Sequence, residues 1–125
     1  MSKPTYPVKK IFIVDDDESI HDIINLIFEQ DLVHGVVKAD NLEKSILTFS
    51  PDIILMDIRM GDADGRELCN RLKENPNIAH IPILLLSALN IDLNNLGCIP
   101  DDVIEKPFDI GHLVEKVNHL LGRKI

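Results

Sequence analysis

Ile11-Phe12-Ile13-Val14-Asp15-Asp16-Asp17-Glu18 joins an unbroken apolar run to four consecutive acidic residues, and Ile20, Ile23, Ile24, Ile27 and Phe28 follow at helical spacing. A strand with one face in water alternates apolar and polar residues, so a continuous β-branched and aromatic run predicts a strand covered on both faces. The stripe after it predicts an amphipathic helix packed back onto that strand. The unit then recurs along the chain. Residues 33–38 predict a weaker strand containing Gly35, and Asp40 with Glu43 predicts a capping box opening a helix over Leu42, Ile46 and Phe49, stopped by Pro51. Ile53-Ile54-Leu55-Met56 is a third buried run, and a Gly-bearing loop leads from it into a helix with Leu68 and Leu72, ended by Asn75-Pro76. Residues 81–86 predict a fourth strand, with Pro82 tolerable only near its start, and Val103-Ile104 a short fifth. Residues 89–96 make a poor helix because Asn90, Asn94 and Asn95 disfavour it. Ile110, Leu113, Val114, Val117, Leu120 and Leu121 form the cleanest helical stripe, closed by Gly122.

Five strand–helix units predict an α/β fold, a doubly wound five-stranded parallel sheet with helices on both faces. Right-handed crossovers restrict the topology to a few arrangements, among them the flavodoxin-like (βα)5 order 2-1-3-4-5. A chain of 125 residues suits a single domain, residues 1–125 with a core of about 9–121, large enough to fold without disulfides or structural metal. Cys69 and Cys98 lie in unrelated sequence contexts with no C-x-x-C pair and read as small core residues. A net charge of −8 opposes direct contact with nucleic acid or anionic membranes and suits divalent cations or basic partner surfaces. The absence of Trp removes the best base-stacking side chain. With no apolar run near the ~20 residues of a membrane span and no apolar leader in residues 1–10, the expected location is cytoplasmic.

In open α/β sheets, ligands bind beyond the carboxyl ends of the strands. There the chain places Asp15-Asp16-Asp17-Glu18, Asp57, Ser87 and Lys106-Pro107. The 2-1-3-4-5 order makes Asp57 central, with carboxylates on one side and a hydroxyl and an ammonium on the other. Clustered carboxylates repel, and a hard cation such as Mg²⁺ relieves the repulsion through oxygen ligands. A phosphoryl group on Asp57 would find Ser87 and Lys106 around its oxygens. Each residue alone has a plain reading: an Asp as helix N-cap, Ser87 as a turn hydroxyl, Lys106 as a solvated lysine. The joint placement at four strand ends carries the functional reading.

Val14-Asp15-Asp16, Met56-Asp57-Ile58-Arg59-Met60 with Asp64-Gly65, Leu86-Ser87-Ala88 and Lys106-Pro107-Phe108 stand in the order of a known signature. The intervals are 42 from Asp15 to Asp57, 30 from Asp57 to Ser87 and 19 from Ser87 to Lys106. The set resembles the receiver domain of two-component response regulators over nearly the whole chain. That resemblance implies a signalling switch rather than a turnover enzyme. Asp57 would take a phosphoryl group from phosphohistidine on a histidine kinase or phosphotransfer protein, assisted by Ser87 and Lys106. Mg²⁺ would be held by Asp15, Asp16, Asp57 and the backbone carbonyl of Arg59. The family usually has a cis peptide at the position of Lys106-Pro107. Neither the cognate kinase nor the downstream effector is implied.

Three departures from the family bear on the site. Gly61 stands where the family usually has proline and is expected to loosen that loop. Val103 replaces the usual aromatic switch residue. The interval from Ser87 to Lys106 is shorter than usual, so its helix is expected to be short or irregular. Arg59 and Leu89 lie two positions past Asp57 and Ser87, and Leu89 is expected to shield an acyl phosphate there. Residues 15–19 also imitate the D-x-D-x-[TV] motif of haloacid-dehalogenase-like phosphatases, but a helix begins directly at Ile20 and Asp57 would have no role. The acidic first loop opposes an FMN phosphate, and no G-x-G-x-x-G is present. Asp62-Ala63-Asp64-Gly65 fails as an EF-hand because Met60 and Arg71 would fall on ligand positions. A receiver-like module without phosphorylation remains the non-catalytic alternative.

Overall fold

The unbroken apolar runs form the buried central strands of one parallel sheet, whose two edge strands are mostly half-buried or exposed. The structure is a computed structural model describing residues 7–61, 63–88 and 97–123. In chain order the elements are β1 (Lys10–Val14), α1 (Glu18–Ile27), β2 (Leu32–Val36), α2 (Leu42–Phe49), β3 (Ile53–Asp57), β4 (Arg59–Met60), β5 (Ala63–Asp64), α3 (Gly65–Glu74), β6 (Ile83–Ser87), β7 (Asp102–Glu105) and α4 (Ile110–Leu120). The large sheet has the order β2-β1-β3-β6-β7, all pairs parallel, which is 2-1-3-4-5 when only its own strands are counted. The strip β4–β5 is an antiparallel pair the sequence reading did not foresee. The expected helix over residues 89–96, and Leu89 with its shielding role, lie outside the described residues.

Alternate residues of each strand feed two separate cores, because successive side chains point to opposite faces. Phe12, Val14, Ile54, Met56, Ile83 and Leu85 face α2 and α3 through Leu42, Ile46, Leu68, Cys69 and Leu72. Ile11, Ile13, Ile53, Leu55, Leu84, Leu86 and Ile104 face α1 and α4 through Ile20, Ile24, Leu113 and Val117. This division is why β1, β3 and β6 read as continuous apolar runs.

The local signals decide most boundaries. One residue of the acidic run caps α1, as expected: Asp17 accepts from the Ser19 N–H at 2.9 Å. Asp64 caps α3 through Arg66 N and Asp109 caps α4 through His112 N. The capping box expected from Asp40 and Glu43 does not form. The N-cap of α2 is Asn41, in a left-handed conformation with no side-chain bond. Glu43 is drawn instead to α3, where Arg71 binds its carboxylate with two bonds of 3.1 and 2.6 Å. Ile81 and Pro82 precede β6 rather than opening it, and the Pro82 carbonyl accepts from Ile54 N at 2.9 Å.

Two long-range contacts were invisible in the sequence. Cys69 and Cys98, far apart in the chain, lie together, and burial followed by its hydrogen bond to Cys98 pushes the Cys69 thiol up to about 12. Cys69 is buried in the core and Cys98 packs half-buried against it, as expected of small core residues. Arg123, just past α4, reaches Asp31 before β2 with two bonds of 3.0 and 2.5 Å and also donates to the Pro7 carbonyl at 3.1 Å. Both side chains of this ion pair are less than a tenth exposed. Burial alone would raise the Asp31 carboxyl; the bonds from Arg123 and Lys9 N outweigh it and hold the carboxyl below its ordinary range. Removing one partner of a buried pair strands the other's charge, so Arg123→Ala should lower the unfolding free energy by about 3 kcal/mol. Urea denaturation at neutral pH measures it.

Candidate functional site

β1, β3 and β6 end together at the carboxyl edge, and the parallel register aligns their last residues. Val14 pairs with Met56 and Asp57 with Leu86, so Asp15, Asp57 and Ser87 emerge side by side. Asp15, Asp16 and Asp57 each offer a carboxylate oxygen within 4.8 Å of the others. Asp15 is fully buried, Asp57 nearly so, and Asp16 is exposed. Lys106 enters from the far edge of the sheet, just beyond β7, across the cis Lys106-Pro107 peptide. Its N–H donates to the Ser87 carbonyl at 2.6 Å. Its ammonium lies 2.8 Å from Asp15 Oδ2 and 3.5 Å from Asp57 Oδ2.

The electrostatics follow from this crowding. Burial, and then the Asp15 charge, raise the Asp57 carboxyl above its ordinary value; Lys106 and the Arg59 N–H only partly offset them. Burial pulls the Lys106 ammonium down, but the bond and charge of Asp15 and the charge of Asp57 together outweigh it and leave its pKa raised. The Ser87 hydroxyl is fully buried and has no hydrogen-bond partner among the described residues. A buried hydroxyl without a partner is costly unless something else engages it, and this one sits at the same strand edge as Asp57.

Every site residue expected from the sequence is therefore at this edge, although only the main-chain N–H of Arg59 makes a bond into it, to Asp57 Oδ1 at 3.2 Å. Its side chain is exposed. The structure adds two glycines. A Cβ on Gly65 would lie 2.2 Å from the Asp57 carbonyl oxygen and 2.8 Å from Ile58 Cα, so α3 can start against the end of β3 only with glycine there. Gly61 turns the β4–β5 strip at a φ of +58° and donates its N–H to Asp16 Oδ2 at 3.2 Å. The loop is thus bonded to the site rather than loosened, and proline could supply neither that φ nor the N–H. Val103 is half-buried against the α2–α3 core.

A parallel doubly wound sheet with an acidic cluster, a lysine and a buried serine at its carboxyl edge defines a class: flavodoxin-like domains, whose ligand sites lie beyond the carboxyl ends of the strands. The family model for the response regulator receiver domain matches residues 11–118. The chain belongs to that family, the phosphoryl-accepting switch of two-component signalling. Among curated proteins it is 30% identical over 119 residues to the DNA-binding dual master transcriptional regulator RpaA of Synechocystis, covering 91% of this chain and 49% of that one. The chain spans about half the length of the curated relatives it matches. Two solved structures resemble it. The signal receiver domain of a signal transduction histidine kinase from Syntrophus aciditrophicus has a TM-score of 0.82 at 30% identity, covering 92% of this chain and 91% of that one. A response regulator receiver domain from Bermanella marisrubri has a TM-score of 0.80 at 26% identity, covering 92% and 99%.

Two expectations follow from the geometry. Asp57 holds its proton more tightly folded than unfolded. It therefore favours folding at acid pH and loses that contribution as pH climbs from the ordinary carboxylate range through the raised value. In buffer with a chelator, Asp57→Asn should melt above the wild type at pH 7, the gap closing as pH falls through the ordinary carboxylate range. Calorimetry across that range checks it. Gly61→Pro should be destabilising by more than about 1 kcal/mol, despite the family's preference for proline, because it loses both the positive φ and the Asp16 bond. Chemical denaturation beside the wild type measures the loss.

Proposed function

We propose that Asp57 is the phosphoacceptor of this chain, residues 1–125 acting as a single receiver domain, and that Asp15, Asp16, Asp57 and the Arg59 carbonyl serve Mg²⁺. The observation that carries the reading is the buried Ser87 hydroxyl, without a hydrogen-bond partner among the described residues, at the edge where Asp57 and Lys106 meet. The donor set fits a hard divalent cation: three carboxylates offer oxygens within 4.8 Å of each other, and Asp16 is open to solvent. When bound, Mg²⁺ supplies positive charge to offset the oxygens of the transferring group.

In the transfer, a carboxylate oxygen of Asp57 attacks the phosphorus of a phosphohistidine. The new O–P bond forms as the P–N bond breaks, and the bonding pair stays on the departing imidazole. Little covalent work falls to the protein, so its contribution is charge and position. The Lys106 ammonium, held between Asp15 and Asp57, has an anchor before transfer and a phosphoryl oxygen to bind after it. The Ser87 hydroxyl, which has no partner among the described residues, donates to a second oxygen. The donor is a histidine kinase or phosphotransfer protein, and the downstream partner is read out by the changed charge. With a net charge of −8 the domain is suited to basic protein surfaces rather than to direct contact with nucleic acid. No described helix is long and apolar enough to cross a membrane, and a cytoplasmic location accords with a kinase donor. The chemistry assists the domain's own phosphorylation and loss of phosphate, without turnover of a metabolite.

Intact mass after incubation with acetyl phosphate should show one Mg²⁺-dependent phosphoryl adduct, lost with chelator and absent in Asp57→Asn. Labelling retained in the variant would place the acceptor elsewhere. No adduct in the wild type under any condition would make the chain a binding module that does not use phosphate.

A further inference from the structure

His21 lies in the second turn of α1, and its half-buried ring turns back over the end of β1. Nε2 is 2.6 Å from the main-chain oxygen of Asp15. A carbonyl can only accept, so the ring carries its hydrogen on Nε2 and donates. The ring has a seat prepared on the neighbouring strand. A Cβ on Gly35 would lie 2.1 Å from Nδ1 and 2.7 Å from Cε1, so any other residue at that position of β2 would evict it. Gly35 pairs with Ile13 in the β1–β2 register, two residues before Asp15. On the helix side, Asn25 Nδ2 donates to the His21 carbonyl at 2.7 Å. Nothing in the sequence marks this pairing: Gly35 stands inside a weaker predicted strand, and His21 inside the helix predicted after the first strand.

The bond matters because of which peptide it holds. The carbonyl of Asp15 and the N–H of Asp16 share one rigid plane, so fixing the carbonyl fixes the orientation in which Asp16 leaves β1. On its other side, Asp15 is held by its own N–H, which donates to the Val36 carbonyl at 3.2 Å. Its carboxylate accepts from Asp17 N at 2.9 Å and from Lys106 at 2.8 Å. Asp16, by contrast, is exposed, and the bond from Gly61 N at 3.2 Å is long. Its aim toward Asp57 therefore depends on the plane from which it springs.

We propose that His21, seated on Gly35, is a positioning residue that orients the Asp15–Asp16 peptide and so presents the Asp16 carboxylate for a divalent cation. The inference deepens the Mg²⁺ reading above and rests on it. A partner that holds a ligand in place without touching the metal is commonly worth about tenfold or more in affinity.

Calorimetric titration of the full chain with Mg²⁺ tests it. His21→Ala should bind roughly tenfold more weakly than wild type. His21→Gln, whose amide N–H has nearly the reach of Nε2, should recover to within about threefold, a rescue that mere packing would not produce. Gly35→Ala should match the loss of His21→Ala, and adding it to His21→Ala should cost nothing further, because the ring it evicts is already gone. In chelator-containing buffer, the amide hydrogens of Asp16 and Asp17 should exchange faster in His21→Ala than in wild type. Equal Mg²⁺ affinity in wild type and His21→Ala, or a glutamine variant as weak as alanine, would overturn the positioning role while leaving the Mg²⁺ reading intact. A wild type that binds no Mg²⁺ would overturn both.

Discussion

The Lys106 ammonium, wedged between Asp15 and Asp57, is the interaction on which the rest of the site depends. Like charges about 4 Å apart repel by roughly 4 kcal/mol at the effective dielectric of a protein surface, and this edge gathers three carboxylates within similar reach. One cation on the buried side makes the arrangement tolerable. The Asp57 carboxyl nonetheless remains raised, by burial first and then by the Asp15 charge, so Lys106 offsets the crowding only in part.

The two cores make this possible. β1 and β3 are buried on both faces, so the backbone that presents Asp15 and Asp57 is clamped from either side. Ion pairs at the rim then tie the outer elements together. Glu43 joins α2 to α3, Asp31 joins the turn before β2 to the end of α4, and Lys73 links α3 to Asp101 at 2.6 Å. Asp101 also accepts from Ile83 N at 2.7 Å, which anchors the start of β6. At the carboxyl edge, hydrogen bonds from Gly61, Arg59 and His21 act beside the Lys106 ion pairs to hold the loops.

Where the sequence reading went astray, a distant residue had intervened. Asp40 and Glu43 have the spacing of a capping box, yet Glu43 had a stronger partner in Arg71, 28 positions away. Gly61 looked like a loosened loop because a glycine's freedom is local knowledge, whereas its bond to Asp16 spans 45 positions. Cys69 and Cys98 looked unrelated because nothing in either context refers to the other.

The sequence by itself determined the doubly wound class of sheet, the two-faced burial of β1, β3 and β6, and the placing of Asp15, Asp16, Asp57, Ser87 and Lys106 at or just past strand ends. These follow from short-range pattern: unbroken apolar runs, helical stripes, and the residue type at which each run stops. Tertiary structure alone decided that Ser87 would be a buried hydroxyl with no partner among the described residues, that Lys106 would bridge Asp15 and Asp57, and that His21 would rest on Gly35. Those facts depend on which side chains meet across the sheet and at what distance. Periodicity can say which face of an element is buried; only packing says what it is buried against.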